Sequence, residues 1–212
     1  MRRLPHGYTN ETLGDGASVV KTYAGPDAAT RAAREYAALV ALHGRVPVPP
    51  VLGHTATSIT LAFVAGVHGQ DLITAGHAEA VLRTCGAVLQ NIHDAGFGHG
   101  DFGPNNLLLD PVTFVATAVL DWEFAASPLV DPVADLAWCE WIVRTHHPDS
   151  RGTLAAFFTA YGTTPPWPRR HAAMLARCHE LLDFAHRWDP DGPGEQLWRQ
   201  RILTTASWRE EG

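Results

Sequence analysis

The chain has 212 residues, 16 Lys plus Arg against 22 Asp plus Glu, and 46% hydrophobic side chains. That length suits one compact domain or two small lobes sharing a cleft, and seven Trp with eight Phe exclude a disordered chain. A net charge of −6 argues against a protein that coats nucleic-acid phosphates. The first 65 residues read as strands plus one helix. Residues 9–13 and 18–23 are strand candidates, joined by the hairpin chemistry of Gly14-Asp15-Gly16. The spacing predicts a helix over 27–43, with Ala33, Tyr36, Ala37, Val40 and Ala41 on its apolar face. Val46-Pro47-Val48-Pro49-Pro50 is an extended connector, residues 58–64 return to strand, and Ala65-Gly66 marks a lobe boundary.

The remainder is mainly helical. Residues 77–95 place Val81, Cys85, Val88, Leu89 and Ile92 at helical spacing, and Gly96, Gly98 and Gly100 end that helix. Short apolar strands at 107–109 and 115–120 flank a turn at Pro111. Helices are predicted over 131–144, 151–161, 169–188 and 195–208, with a loop at 189–194 between the last two.

Charge is unevenly distributed. Between Arg83 and Arg144 there is no basic residue, while Asp94, Asp101, Asp110, Asp121, Glu123, Asp131, Asp135 and Glu140 all fall there. Such a stretch reads as a solvated face or as the surroundings of a divalent cation. Fifteen of the sixteen basic residues are Arg, and Lys21 is the only lysine. Three widely spaced Cys imply neither a disulfide framework nor a structural zinc site. With no apolar leader after Met1 and no run long enough for a bilayer, a cytoplasmic protein without a membrane partner is expected.

The densest chemistry lies in His99-Gly100-Asp101-Phe102-Gly103-Pro104-Asn105-Asn106, an H-x-D-x-x-x-x-N pattern on a Gly-loosened loop entering an apolar strand. Twenty residues after Asp101, Asp121 ends a second apolar strand. Phosphoryl transfer uses these types at this spacing. One carboxylate orients a hydroxyl and takes its proton, while an amide oxygen and a second carboxylate hold magnesium against the phosphates. Lys21 on a strand and Glu35 on the following helix supply the ion pair that kinase-type sites place on the α/β-phosphates. A compact ammonium lies among phosphate oxygens where a planar guanidinium is a poor substitute.

These segments, with Val119-Leu120-Asp121-Trp122-Glu123 and Asp131-Pro132-Val133-Ala134-Asp135-Leu136-Ala137, resemble the aminoglycoside phosphotransferase family. Arg34-Glu35-Tyr36 ahead of Val46-Pro47-Val48-Pro49 is similar to its N-terminal lobe. The resemblance covers roughly residues 4–140 and is most specific over 99–137. It implies an α+β, bilobal, protein-kinase-like fold. Residues 1–65 would form an N-lobe of small antiparallel sheet plus one helix, and 66–212 a larger, mainly helical C-lobe. It further implies transfer of the γ-phosphate of ATP or GTP to a hydroxyl of a small molecule, such as an aminoglycoside or another amino-sugar or amino-alcohol. Asp101 would be the catalytic base, Asn106 and Asp121 the Mg2+ ligands, and Lys21 with Glu35 the phosphate-side pair. Phe63, Val64 and Ala65 would read the nucleotide base, while His99 and Asp135 support the catalytic loop. Glu123 would lie behind the metal. His6-Gly7-Tyr8-Thr9-Asn10, with one Gly, is the segment available to cover the phosphates. That sparse loop keeps open a second reading, a catalytically silent kinase fold that binds a nucleotide or partner in a regulatory role.

Three other features carry less. His179, Asp183 and His186 share one helical face, read as a surface or substrate-cleft face rather than a metal site. Trp188, Trp198 and Trp208 read as plugs of the C-lobe core, and Cys85 and Cys178 as small core residues.

Overall fold

The computed structural model describes residues 2–3 and 10–210. His6, Gly7, Tyr8 and Thr9, read above as part of the phosphate-covering segment, lie outside the described residues. Five antiparallel strands, β1 (Arg2–Arg3), β2 (Glu11–Gly14), β3 (Ser18–Thr22), β4 (Val51–His54) and β5 (Ser58–Ala62), assemble in the order β1-β2-β3-β5-β4. The β2–β3 turn is set by Asp15, whose Oδ1 accepts from the amides of Ala17 (3.0 Å) and Ser18 (2.7 Å). Gly16 takes the left-handed backbone the turn requires, at φ 89°. In β3 the one fully buried residue is Lys21, paired across to Thr12 and Ile59. Strand β4 escaped the sequence reading, because four residues with a central Gly show no usable alternation.

Helix α1 (Ala28–Leu42) forms where expected but turns a different face inward. Its buried residues are Arg31, Ala32, Glu35, Ala38, Leu39 and Leu42, whereas Ala33, Ala37, Val40 and Ala41 are exposed. The interior it faces contains charged partners, and hydrophobic periodicity has no means of selecting a face that carries Arg and Glu. The connector at 46–50 follows, and Pro47 O accepts from the Val119 amide at 2.7 Å.

Past a crossing at 63–66, a second antiparallel sheet of β6 (Val67–His68), β7 (Leu107–Leu109) and β8 (Ala116–Val119) is ordered β6-β7-β8. Around it lie α2 (Gly69–Thr74), α3 (Ala78–Asp94), α4 (Pro132–His146), α5 (Leu154–Tyr161), α6 (Trp167–Trp188) and α7 (Pro193–Ser207). The architecture is α+β and bilobal, a small antiparallel sheet with one helix joined to a mainly helical body. Helix α2 was not anticipated. The helix expected over 151–161 opens instead as a 3-10 turn at Pro148–Thr153, and the α-helix proper starts at Leu154.

The main core runs from Tyr23 and Leu39 through Val81, Cys85, Leu89 and Ile92 of α3 to Phe157 and Tyr161 of α5. Gly86 permits the α3–α5 approach, since a Cβ there would collide with Phe157 O. A second cluster joins α4 to α6 through Trp138, Trp141, Met174 and Cys178, with Trp138 and Trp141 stacked at 4.4 Å. Trp198 and Trp208 pack against that cluster. Trp188 does not: it is exposed and lies over Gly25, at the entry to α1, because α6 is long enough to reach the first lobe. Among the described residues, no helix is long and apolar enough to cross a membrane.

Candidate active site

Strand β3 and helix α1 bring Lys21 to Glu35. Lys21, 8% exposed, donates from Nζ to Glu35 Oε2 at 2.6 Å and to Asp121 Oδ1 at 2.5 Å. Tyr23 Oη donates to the same Glu35 oxygen at 2.5 Å. Burial works against the ammonium, yet Asp121 and Glu35 together hold its pKa well above the ordinary lysine value. For Glu35 burial dominates and raises the pKa, against the pull of Lys21. One ammonium thus bridges a carboxylate from each lobe.

The loop after α3 is built on Asp135. Its Oδ2 accepts from the His99 amide at 2.8 Å and from His93 Nε2 at 3.1 Å, and its Oδ1 from the Gly100 amide at 2.7 Å. Burial alone would raise the Asp135 pKa, but the His93 hydrogen bond, the nearby His99 and the backbone donors carry it below 3.8. Gly100 has φ 80°, and a Cβ there would strike Phe124 O. His99 Nε2 donates to Leu120 O at 3.0 Å, and Nδ1 accepts from the Asp101 amide at 3.2 Å. These partners fix a neutral imidazole, and burial keeps its pKa below 6.5.

Asp101 is held at both oxygens. Trp138 Nε1 donates to Oδ1 at 2.6 Å and Asn106 Nδ2 to Oδ2 at 3.0 Å. Burial, then the neighbouring Asp121 charge, push its pKa up to about 7 in spite of these donors and Arg177. The Asn106 amide also donates to Asp101 O at 2.8 Å. The Trp138 contact was not foreseen from sequence; α4 delivers it from 37 residues away.

Asn106 and Asp121 meet through the β7–β8 pair, where Leu120 N donates to Asn106 O at 2.8 Å. Asp121 itself has a left-handed backbone, φ 65°. Two residues on, buried Glu123 turns away from it: Oε2 accepts from Arg31 Nη1 at 2.6 Å and from Asn10 Nδ2 at 2.8 Å. Glu123 therefore ties the segment after β8 to α1. Phe63, Val64 and Ala65 lie on the crossing between β5 and β6, anchored by Phe63 N to Ala17 O at 2.9 Å. Among the described residues no hydrogen bond joins these three to the charged cluster.

Only part of the acidic stretch stays at the surface, where Asp94 and Asp131 are exposed. Glu140 is buried between Arg144 (2.8 Å) and Arg170, Asp131 caps α4 through the Val133 amide, and Asp135 is inside the loop. His186 Nδ1 bonds Glu195 Oε2 at 2.8 Å, and no group of three or more His, Cys, Asp or Glu suited to a metal occurs among the described residues.

The donor chemistry at Asn106 and Asp121 suits a hard cation nonetheless. Both hydrogens of the Asn106 amide are committed to Asp101, which leaves Oδ1 as the atom that could face a cation. One amide oxygen and one carboxylate match Mg2+, which retains waters and takes phosphate oxygens for its other positions.

A family model described as "Phosphotransferase enzyme family" (APH) matches residues 1–98 and 94–173. No curated protein sequence matches the chain. Solved structures with this fold include a streptomycin–ATP–APH(2'')-IIa ternary complex, 12% identical over 86% of this chain and 83% of that one, with TM-score 0.62. The macrolide 2'-phosphotransferase MphH from Brachybacterium faecium is 19% identical over 100% and 93%, at TM-score 0.61. A thermostable APH(4)-Ia mutant in complex with AMP-PNP and hygromycin B is 18% identical over 96% and 92%, at TM-score 0.67.

Proposed function

The chain belongs to the phosphotransferase enzyme family, and on that premise we propose that it moves the γ-phosphate of ATP to a hydroxyl of a small molecule. The observation that carries this reading is the placement of Asp101. Its carboxylate is oriented by Trp138 and Asn106 at the edge of a cluster in which Lys21 bridges Glu35 and Asp121. In this reading an N-lobe of residues 1–65 and a C-lobe of 66–212 would form the two walls of the cleft.

In the proposed reaction the acceptor hydroxyl oxygen bonds the γ-phosphorus as the bond to the β–γ bridging oxygen breaks. ADP leaves, and the hydroxyl proton passes to Asp101 Oδ2 or Oδ1. Lys21 holds the nucleotide phosphates, with Glu35 and Tyr23 fixing the ammonium. Asn106 and Asp121 would hold Mg2+, which when bound would supply positive charge to the phosphate oxygens. His99 and Asp135 keep the loop in register, and Phe63, Val64 and Ala65 offer backbone groups to the base.

ATP in one complex of a similar structure and AMP-PNP in another support ATP as the donor to test first, with GTP second. Their acceptors make amino-sugars and amino-alcohols, aminoglycosides included, the first acceptor class to screen. The test is ADP or GDP release over such a panel, alongside thermal-shift titration with Mg·ATP and Mg·GTP. Transfer to an acceptor that Asp101→Ala abolishes supports the reading. Nucleotide binding without transfer to any acceptor would instead mark a catalytically silent member of the family.

A further inference from the structure

Arg177 on α6 is a charged side chain beside Trp138 that none of the roles above uses. It is 16% exposed, and its guanidinium lies 4.6 Å from the Phe124 ring centroid and 5.8 Å from that of Trp138. Trp138 is the residue whose indole N–H holds Asp101 at 2.6 Å. The Arg177 charge is also felt at Asp101, where it lowers proton affinity against burial and Asp121. Trp138 thus stands between the two, its ring near the guanidinium and its N–H on the Asp101 carboxylate.

Its hydrogen bonds are incomplete in a specific way. Nη1 donates to Glu180 Oε2 at 2.9 Å, an exposed carboxylate. Nε and Nη2 are buried without any hydrogen-bond partner. Those two nitrogens form a single edge of the guanidinium, the edge that grips a carboxylate or phosphate through two parallel N–H···O bonds. Buried charged donors without acceptors are costly, and cation–π contact with two rings offsets only part of that cost. The other buried arginines are completed by carboxylates: Arg31 by Glu123, and Arg144 and Arg170 by Glu140. Arg177 instead has two buried nitrogens that no acceptor meets.

We propose that the Nε–Nη2 edge of Arg177 is a subsite for an anionic group carried by the acceptor, a carboxylate or phosphate ester beside the hydroxyl that Asp101 engages. This rests on the phosphotransferase reading and narrows its acceptor class to hydroxy acids and phosphorylated polyols, with or without an amino group elsewhere. Phe124, only partly buried, lies against the guanidinium and borders the subsite. A fixed guanidinium at this edge disfavours a polycation there and favours an oxyacid.

The test is calorimetric titration of protein saturated with Mg·AMP-PNP, using glycerate, glucuronate and glycerol 3-phosphate against their neutral counterparts glycerol and glucose. At least one acid is expected to bind about tenfold or more tighter than its neutral counterpart, the scale expected for a desolvated charge-assisted pair. Arg177→Met should erase that preference and Arg177→Lys restore only part of it, since an ammonium lacks the fork. Should Arg177→Met fail to fold by thermal melt, the Lys variant alone carries the comparison. Preference for glycerol 3-phosphate over glycerate identifies phosphate as the group; the reverse identifies carboxylate. Acids that bind no better than their neutral counterparts, or equally well to the variants, overturn the subsite. So does an Arg177→Met enzyme whose turnover falls by the same factor with every acceptor and with water, which would place the guanidinium on the transferred phosphate. ADP release separates the two claims. Transfer to neutral or amino-sugar acceptors without acid binding keeps the phosphotransferase and removes the subsite. Acid binding through Arg177 with no ADP release for any acceptor keeps the subsite and removes the phosphotransferase.

Discussion

Arg31 and Glu123, 92 residues apart, form an ion pair of 2.6 Å with side chains 2% and 1% exposed. The Arg31 guanidinium also donates to Ala24 O, to Pro26 O at 3.1 Å and to Asn10 Oδ1 at 3.2 Å. One helical turn along α1, Glu35 reaches Asp121 through Lys21. Two parallel links thus fasten α1 to the segment after β8, and both must form for the charged cluster to keep its geometry.

Breaking the first link by Arg31→Met or Glu123→Leu strands a buried charge, and about 3–5 kcal/mol of stability should be lost. The double variant Arg31→Met/Glu123→Leu should recover most of that, because neither charge is left alone. Urea unfolding of the three proteins measures the coupling. Additive losses would show that the two side chains do not act as a pair.

Lys21→Arg keeps the charge but places a planar fork where Glu35 and Asp121 are only 2.6 and 2.5 Å from one nitrogen. Nucleotide use should suffer, with kcat/KM for ATP down about 10²-fold or more, the scale of losing one preorganised charge contact. Steady-state kinetics at saturating acceptor decides this. Unaltered nucleotide kinetics would remove Lys21 from the phosphate site.

For Asp101 the expectation concerns both rate and pH. Asp101→Asn should lower kcat about 10²–10⁴-fold, the usual contribution of a positioned proton acceptor. Since its folded-state pKa is raised to about 7 from 3.8, the folded chain retains a proton that the unfolded chain has already released. Stability contributed by that proton is present below pH 3.8 and is lost as pH rises toward 7. Denaturant titrations of nucleotide-free protein should show a shallower loss between those limits in Asp101→Asn. Identical pH dependence in both proteins would contradict the raised value.

Asp135 has the opposite sign. Its folded-state pKa lies below 3.8, so its contribution is complete above that value and disappears as pH falls through the lower folded-state value. Asp135→Asn should cost about 1.5–3 kcal/mol at neutral pH, as loss of charged hydrogen bonds does, and the difference should narrow in acid. A gap that stays constant down to pH 2 would assign the loss to packing rather than to charge.

The parts legible in sequence were those whose partners lie close in the chain. His99, Asp101 and Asn106 share one loop, and Lys21 and Glu35 sit on consecutive elements, so spacing alone grouped them. The helices after residue 131 were legible for the same reason, apart from a few residues at their ends. The inward face of α1 was not, because Arg31 and Glu35 are selected by Glu123 and Lys21, partners that no helical period encodes. Trp138 drew no reading from the sequence and proved to be a donor to Asp101. Trp188 read as core, yet it packs at Gly25.

The backbone at Asp121 has a consequence for which side chains the position can accept. A φ of 65° admits Gly, Asn and Asp at little cost and penalises every longer or branched residue, Glu among them. The ionic contact with Lys21 requires a carboxylate, which removes Gly and Asn. Conformation and charge act here as two independent filters, and their overlap contains a single amino acid. No conservative replacement exists at this position: Asn preserves the turn and forfeits the charge, and Glu preserves the charge and strains the turn.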